Sequence, residues 1–294
     1  MDLISVVITT YNRPLEILKR AVLSAYNQSY QPIEIIVVND CPQNAELAKG
    51  IKNMLLEIDK DIIYIVHPEN MGACAARNSG LNVAKGEFIG FLDDDDEWLE
   101  DKLSKQIALM KDDVGLVGCD SIRISGEHKK HYHPSIPKGD QISAILKTNF
   151  LGSTSFPLLR TKWVKEAGGF DVNAVSCQDY DLWIRILLKH KYEFANEALV
   201  NCYDSQDSTF KNSKSKFFEG CKYLIKKYED VYSNYQDALL YKINNDAVSV
   251  LIFNKDVKTY LKFKKLAFSI KVFDSRNFFT LFIKIFNRLR GKKQ

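Results

Sequence analysis

Four short apolar runs, separated by stretches of helical period, fill the first 95 residues. Residues 3–10 (LISVVITT), 34–40 (EIIVVND), 62–66 (IIYIV) and 87–94 (EFIGFLDD) read as strands, the first two buried on both faces. Between them, 14–29, 44–58 and 72–85 read as helices; Leu15, Leu18, Ala21, Val22 and Ala25 recur with helical period, and Pro14 suits a first turn. A chain that alternates in this way folds as a doubly wound, mostly parallel α/β sheet. Such sheets bind ligands beyond the carboxyl ends of their strands. Thr10–Arg13, Asn39-Asp40, His67-Pro68 and Asp93–Asp96 are therefore expected at one rim.

Further on, 99–111 and 141–149 read as helices, 115–124 and 153–160 as strands, and 125–140 as a loop or loose hairpin. A short helix over 161–168 ends at Gly168-Gly169; 178–190 is a helix and 197–204 a last strand. From Lys214 onward only helical patterns appear. Charge divides the chain in the same place. Residues 1–210 hold 22 Lys/Arg and 30 Asp/Glu, whereas 211–294 hold 19 and 7. The expected organisation is a mildly acidic α/β domain over 1–210 and a basic helical extension over 211–294, suited to an anionic surface, either a membrane leaflet or nucleic acid.

The start has no signal-peptide pattern and no run of 18 apolar residues occurs, so the sequence reads as cytoplasmic without a bilayer span. The six cysteines are scattered with no CxxC, which suits reduced, mostly buried thiols better than a zinc site.

Asp93-Asp94-Asp95-Asp96 is the sharpest local feature. Adjacent carboxylates repel, so the run needs a cation or hydrogen-bond donors to stay ionised. A hard divalent ion, Mg²⁺ or Mn²⁺, shared with substrate phosphates meets that need. The plainer alternative is an acidic turn capping a helix that starts near Trp98. His128, His131 and His133 lie among lysines that oppose cation binding, so they read as a solvated loop rather than a metal site.

Taken in order, VVITTYNRP (6–14), EIIVVND (34–40), NMGACAARNSGLNVAKGEFIGFLDDDD (70–96), GGFD (168–171) and QDYDLWIRI (178–186) resemble the motif series of glycosyltransferase family 2. The resemblance spans residues 3 to about 205. It implies a GT-A fold and an inverting, metal-dependent transfer of one sugar from a nucleotide-diphosphate sugar, with a UDP-sugar as the indicated donor. It further implies that Thr9, Tyr11 and Arg13 line the nucleoside pocket and that Asp40 accepts a hydrogen bond from the base. Arg77 sits beside the base or neutralises the acidic run. Asp93 and Asp94 face ribose and phosphate, Asp95 binds Mn²⁺ or Mg²⁺, and Asp179 is the general base. Gln178 stands where the family places a glutamate. The implied acceptor is a saccharide, lipid-linked in the assembly of cell-surface polysaccharide such as O-antigen, capsule or lipopolysaccharide.

The residues fit that chemistry independently. An inverting transfer needs one base for the acceptor hydroxyl and positive charge on the departing diphosphate. Asp181 is the competing base, but two residues along a helix it points elsewhere, so Asp179 is preferred. Trp183 is read either as a sugar-stacking platform or as a packing aromatic, and Gly152-Ser153 either as a close approach to the donor or as a tight turn. No histidine lies near Gln206, where relatives carry one, and the QxxRW motif of processive members is missing, which favours one transfer per acceptor.

Residues 277–290 (NFFTLFIKIFNRLR) alternate Phe278, Phe282, Ile285 and Leu289 against a polar face. They read either as a helix in an anionic membrane interface, joined by Phe263, Leu266 and Phe268, or as a helix docked on the catalytic domain. The former gives a protein peripheral on the inner face of the cytoplasmic membrane. Other functional classes fit less well. A nucleotidyltransferase would carry a Gly-rich loop where TTYNRP stands, and a nucleic-acid-binding module would carry a groove-reading motif. An inactive nucleotide-sugar-binding relative would have no need of Asp93–Asp95 and Asp179 together.

Overall fold

The structure, a computed structural model, describes residues 1–136, 140–204, 214–254 and 256–269. These form two compact units. One takes in Met1–Ile136, Phe150–Asn173 and 178–204; the other takes in 140–149, Ala174–Cys177 and the described residues from 214 onward. The boundary expected at 210 lies outside the described residues, and the helical unit also takes in 140–149 and Ala174–Cys177 from earlier in the chain.

In the first unit the elements run β1 (Ile4–Thr10), α1 (Leu15–Tyr26), β2 (Ile33–Asn39), α2 (Ala45–Ile58), β3 (Ile63–Val66), α3 (Ala73–Val83), β4 (Phe88–Asp93), β5 (Asp96–Trp98), α4 (Lys102–Ile107), β6 (Val114–Ser125) and β7 (His128–Tyr132). After α5 (Gln141–Lys147), which belongs to the helical unit, come β8 (Leu158–Arg160), α6 (Thr161–Glu166), α7 (Gln178–Leu187) and β9 (Lys191–Tyr203).

The sheet has nine strands in the order β3-β2-β1-β4-β8-β6-β9-β5, with β7 on the outer part of β6. Strands β3, β2, β1 and β4 are parallel, and the apolar runs of β1, β2 and β4 are mostly buried, as such a sheet requires. Their register sets Thr10 opposite Asn39 and Thr9 opposite Asp93, so the polar ends arrive at one level. The second half is mixed: β8 runs antiparallel to β4 and β6, and β5 antiparallel to β9. Ile4, Val6, Ile8, Leu18, Ala21, Val22, Leu92 and Trp98 belong to one core cluster, in which α1 packs its buried stripe against the sheet.

Local chemistry fixes the helix starts. Asn44 caps α2 by accepting from Leu47 N at 3.0 Å. Gly72 opens α3 at φ +85°, a conformation that strains any residue with a Cβ.

Two expectations need correcting. Trp98 does not begin a helix: it is a strand residue, buried, with its indole Nε1 donating to Ser155 O at 2.8 Å, and α4 starts at Lys102. Three residues are too few to leave a periodic signal, and β5 exists only because Trp98 pairs with Val200 across from it. Strand β9 starts at Lys191 rather than at 197, its polar first half held by pairing with β6. Of the two readings of 125–140 the hairpin is the one observed: β7 pairs antiparallel with β6, and every residue of β7 is exposed.

The helical unit contains α5, α8 (Lys214–Lys227), α9 (Glu229–Ser233), α10 (Gln236–Asn254) and α11 (Val257–Ser269). Tyr232 on α9 donates to Leu146 O on α5 at 3.0 Å, and Phe218 and Phe263 meet edge to face at 4.9 Å. Gly220 lets α8 rest directly on Ser176: a Cβ there would come within 2.8 Å of the Ser176 Cβ. Of the three apolar residues assigned to a membrane-facing surface, Phe263 is instead buried in this packing, Leu266 is half-buried, and Phe268 is 77% exposed. The stretch 277–290 lies outside the described residues. Among the described residues no helix is long and apolar enough to cross a membrane.

Candidate active site

Strand β4 ends in the acidic run, and each carboxylate meets a different set of partners. Asp93 accepts from Arg77 Nη2 and from Thr154 Oγ1, both at 2.8 Å. Asp94 is buried and accepts from Thr10 Oγ1 at 2.7 Å and Arg13 Nε at 2.9 Å. Asp95 accepts from Arg13 Nη2 at 3.1 Å, while its carbonyl accepts from Arg20 Nη2 at 2.7 Å. The Arg20 guanidinium lies 3.6 Å from the centroid of the Tyr203 ring. Asp96 is buried, with Ser155 and Cys202 as hydrogen-bond partners.

Burial and mutual repulsion decide the charge. Desolvation, with Asp93 nearby, pushes the Asp96 carboxyl well above the usual carboxylate range and favours its neutral form. Desolvation also raises Asp94 to about 6, held down by Arg13 and Thr10. Four adjacent carboxyls therefore carry fewer than four charges, and three arginines from separate elements neutralise much of the remainder. The acidic-turn reading fails on this geometry, because the carboxylates face arginines rather than a helix start.

The donor set can be tested against the divalent metal that the resemblance implies. Asp93 and Asp95 keep 29% and 30% of their side-chain surface open, so hard oxygen donors remain accessible. Among the described residues no group of three or more His, Cys, Asp or Glu gathers into a cage. The residues fit a cation that takes one or two carboxylates from protein and its other ligands from phosphate and water.

Asp179 lies in the first turn of α7, half-buried, and accepts from its neighbour Tyr180 N at 2.7 Å. Desolvation pushes its carboxyl up to about 6, against the opposing pull of Tyr180 N–H and Arg77. Arg77 thus acts on both Asp93 and Asp179, and its guanidinium lies 5.3 Å from the Phe170 ring centroid. Asn78, next along α3, donates to Phe170 O at 2.8 Å and accepts from Phe170 N at 2.7 Å, which locks that loop to the helix.

Asp181 has a different fate. It is fully buried and accepts from Arg185 Nη2 at 2.6 Å and Nε at 3.0 Å, while Arg185 also donates to Gly169 O at 2.7 Å. Trp183 is a core residue with no exposed surface, its Nε1 donating to Gly152 O at 3.2 Å, so it offers no face to a sugar. Gly152 has φ +75°, and a Cβ there would meet Phe156 at 2.3 Å; the tight-turn reading of Gly152-Ser153 accounts for it.

The residues expected to line the nucleoside pocket stand at the β1–β2 end of the same rim. Thr9 is half-buried opposite Asp93. Tyr11 is exposed and its hydroxyl accepts from Gln43 Nε2 at 3.1 Å. Asp40 is buried and largely committed to protein donors. Its Oδ1 pairs with His67 Nδ1 at 2.7 Å and accepts from Met71 N at 2.8 Å, and its Oδ2 accepts from Gly72 N at 2.8 Å. A carboxylate offers about four lone-pair directions, so Oδ2 retains one.

Sequence reasoning missed Arg20, Thr154 and Ser155, which reach the acidic run from 61 to 75 residues away. A lone Arg in an amphipathic helix and a Thr-Ser in a turn carry no periodic signal. His67 and Thr10 were among the rim residues by position alone. A separate open groove of about 820 Å³ beside α1, lined by Glu16, Lys19, Arg20, Glu97 and Trp98 among others, includes none of Asp93, Asp94, Asp95 or Asp179.

Comparison with known proteins agrees with this architecture. The putative colanic acid biosynthesis glycosyl transferase WcaA of Escherichia coli K12 is 30% identical over 256 residues, covering 83% of this chain and 88% of that protein. The UDP-Glc:alpha-D-GlcNAc-diphosphoundecaprenol beta-1,3-glucosyltransferase WfaP of Escherichia coli is 32% identical over 205 residues, 69% of this chain and 77% of its own. Among solved structures, mannosyltransferase PcManGT from Pyrobaculum calidifontis, in complex with GDP-Man and Mn²⁺, superposes with a TM-score of 0.61 at 14% identity, covering 97% of this chain and 80% of that one. At that identity the likeness concerns the GT-A fold alone. The family model described as "Glycosyl transferase family 2" matches residues 5–168, more than half of the chain, which therefore belongs to glycosyl transferase family 2.

Proposed function

We propose that this chain transfers one hexosyl unit from a UDP-sugar to a saccharide carried on a lipid diphosphate, with inversion, during the assembly of a surface polysaccharide. The observation that carries the reading is the convergence of Asp95 and Asp179 on Asp93, which Arg77 holds, at one rim of a parallel sheet. Asp179 takes the proton of the acceptor hydroxyl as its oxygen bonds to the sugar's anomeric carbon. The bond from that carbon to the diphosphate breaks, and its electron pair leaves with the diphosphate oxygen. Asp95, assisted by Asp93, would hold Mn²⁺ or Mg²⁺, which supplies positive charge to the leaving diphosphate. Arg13 and Arg77 already stand beside those carboxylates and add cationic donors on the same side. Asp40 Oδ2 offers the base its remaining acceptor direction, and Thr9 and Tyr11 stand at the end of the neighbouring strand β1.

The acceptor class draws on the name of the WfaP relative, and surface polysaccharide on that of WcaA. The basic helical unit, with 19 Lys/Arg against 7 Asp/Glu over 211–294, suits a protein held at an anionic leaflet where such acceptors reside.

The test is thermal stabilisation and donor hydrolysis across UDP-, GDP- and dTDP-sugars, with Mn²⁺ or EDTA, for the wild type and Asp95→Ala. Metal-dependent stabilisation by UDP-sugars, lost in folded Asp95→Ala, is expected. Equal stabilisation with EDTA would remove the metal from the mechanism, and stabilisation by no nucleotide would remove the donor site.

A further inference from the structure

The β6–β7 hairpin carries a column of nitrogen bases that the reaction described above does not use. In its antiparallel register Ile122 faces His131 and Ile124 faces Lys129, so Lys129, His131 and His133 fall on one face, two residues apart. The rings of His131 and His133 stack at 6.3 Å with 23° between planes. Beneath them, His133 Nδ1 contacts Asp120 Oδ2, a buried carboxylate on β6. That contact fixes the ring and leaves its Nε2 edge outward. Lys129, Lys130, His131 and His133 are all exposed, and among the described residues no carboxylate pairs with either lysine.

The column starts at the catalytic rim. Cys119 and Leu92 belong to the core cluster with α1, so their neighbours Asp120 and Asp93 point to the opposite face of the sheet. Strand β6 pairs with β8 through Val117 and Leu158, and Cys119 Sγ reaches Phe156 O at 3.4 Å. Ser155, next to Phe156 in the turn before β8, accepts from Asp93 N at 3.1 Å through its Oγ, so the same turn touches both Cys119, the neighbour of Asp120, and the acidic run. From Asp120 the column runs outward, and at about 7 Å per two residues it spans roughly 14 Å from His133 to Lys129. It lies across β8 from the acidic run, whereas Thr9, Arg13 and Asp40 lie on the β1–β2 side.

We propose that Lys129, His131 and His133 form a clamp for the diphosphate of the acceptor. A sugar whose hydroxyl reaches Asp179 carries its diphosphate further out; the Lys129 ammonium, together with imidazoles that donate from both ring nitrogens in their protonated form, is complementary to that dianionic group. The inference rests on the lipid-diphosphate acceptor proposed above. It adds residues and a place for that group, and assigns Asp120 the part of a positioning residue that acts through His133.

The test is imidazole NMR of the full chain, titrated without nucleotide or metal, so that failure of the transferase reading, seen in the nucleotide-sugar assay, stays separate. The probes are geranyl diphosphate, inorganic pyrophosphate and phosphatidylglycerol vesicles, with His67 and His190 as internal controls. Saturable shifts of His131 and His133 with geranyl diphosphate are expected, and binding at least tenfold weaker in Lys129→Ala/His131→Ala/His133→Ala. The double variant Lys129→Ala/His131→Ala keeps the contact of His133 with buried Asp120, is expected to weaken binding as well, and guards against a loss of fold in the triple variant. Equal binding of pyrophosphate would identify a soluble diphosphate as the source of the same chemistry. Shifts with vesicles alone would make the hairpin a leaflet contact and overturn the clamp, as would the absence of any shift or an unchanged affinity in the triple variant.

Discussion

Asp179 and Asp181 stand two residues apart on one helix, and replacing each by asparagine is expected to move stability in opposite directions. In the native protein the Asp179 carboxyl titrates near 6 instead of 3.8. Two units of upward shift correspond to roughly 3 kcal/mol against the ionised form, and the partial exposure of the residue reduces this to roughly 1–2 kcal/mol. The native pKa lies above the unfolded one, so the penalty is present above about pH 6 and vanishes below about pH 4. Asp179→Asn removes it and raises the melting temperature by a few degrees at pH 8, with little change at pH 4. Asp181→Asn breaks a buried ion pair and leaves Arg185 Nε and Nη2 short of their acceptor. Breaking such a pair costs about 3–5 kcal/mol, a loss of roughly 10 °C. Activity moves otherwise: Asp179→Asn loses about 10²–10⁴-fold in kcat, as removal of a general base does. Differential scanning fluorimetry at the two pH values, with transfer measured on the same samples, checks both. A stable but inactive Asp181→Asn beside an active Asp179→Asn would refute the assignment of the two carboxylates.

Two further outcomes follow from buried titrating groups. At saturating donor and acceptor, kcat rises with pH through about 6 and then levels, because Asp179 accepts a proton only once ionised; a flat profile from pH 5 to 8 would exclude it as base. Lys102 is fully buried, donates to Gln106 Oε1 at 2.7 Å and lies 4.0 Å from the Trp98 ring centroid, and burial lowers its pKa from 10.5 to about 8. Between those values the unfolded chain binds the extra proton, so wild-type stability rises with pH from 8 to 10.5. The shift corresponds to roughly 3 kcal/mol, offset by about 1–2 kcal/mol for the bond lost to Gln106. Urea denaturation should therefore find Lys102→Met about 1–2 kcal/mol more stable at pH 7 and free of that slope.

The parallel half of the sheet was legible because each strand is an apolar run long enough to carry its own period, and β1–β4 were placed to within a residue or two. The rim followed from topology alone: once the strands are parallel, Thr10, Asp40, His67 and Asp93 share a level whatever separates them in sequence. The antiparallel half was less legible because its elements are defined by partners. Nothing in Asp96-Glu97-Trp98 announces a strand until β9 pairs with it. The same holds within the site. Asp93–Asp96 stood out as a run, but the arginines that face them come one at a time from a loop, α1 and α3. Asp40 illustrates a further limit: its place was readable, yet the His67, Met71 and Gly72 donors that occupy most of its oxygens depend on a turn fixed only in three dimensions.

The order of those arginines along the chain has a consequence for biosynthesis. Arg13, Arg20 and Arg77 all precede Asp93–Asp96. A polypeptide emerges from its N-terminus at several residues per second, so the cations are exposed before the acidic run appears. β1, α1 and α3 can then present positive charge to a segment that would otherwise resist collapse by self-repulsion. A circular permutant that opens between α3 and β4 would synthesise the carboxylates first and lose this sequence of events while keeping every native contact but the severed peptide bond.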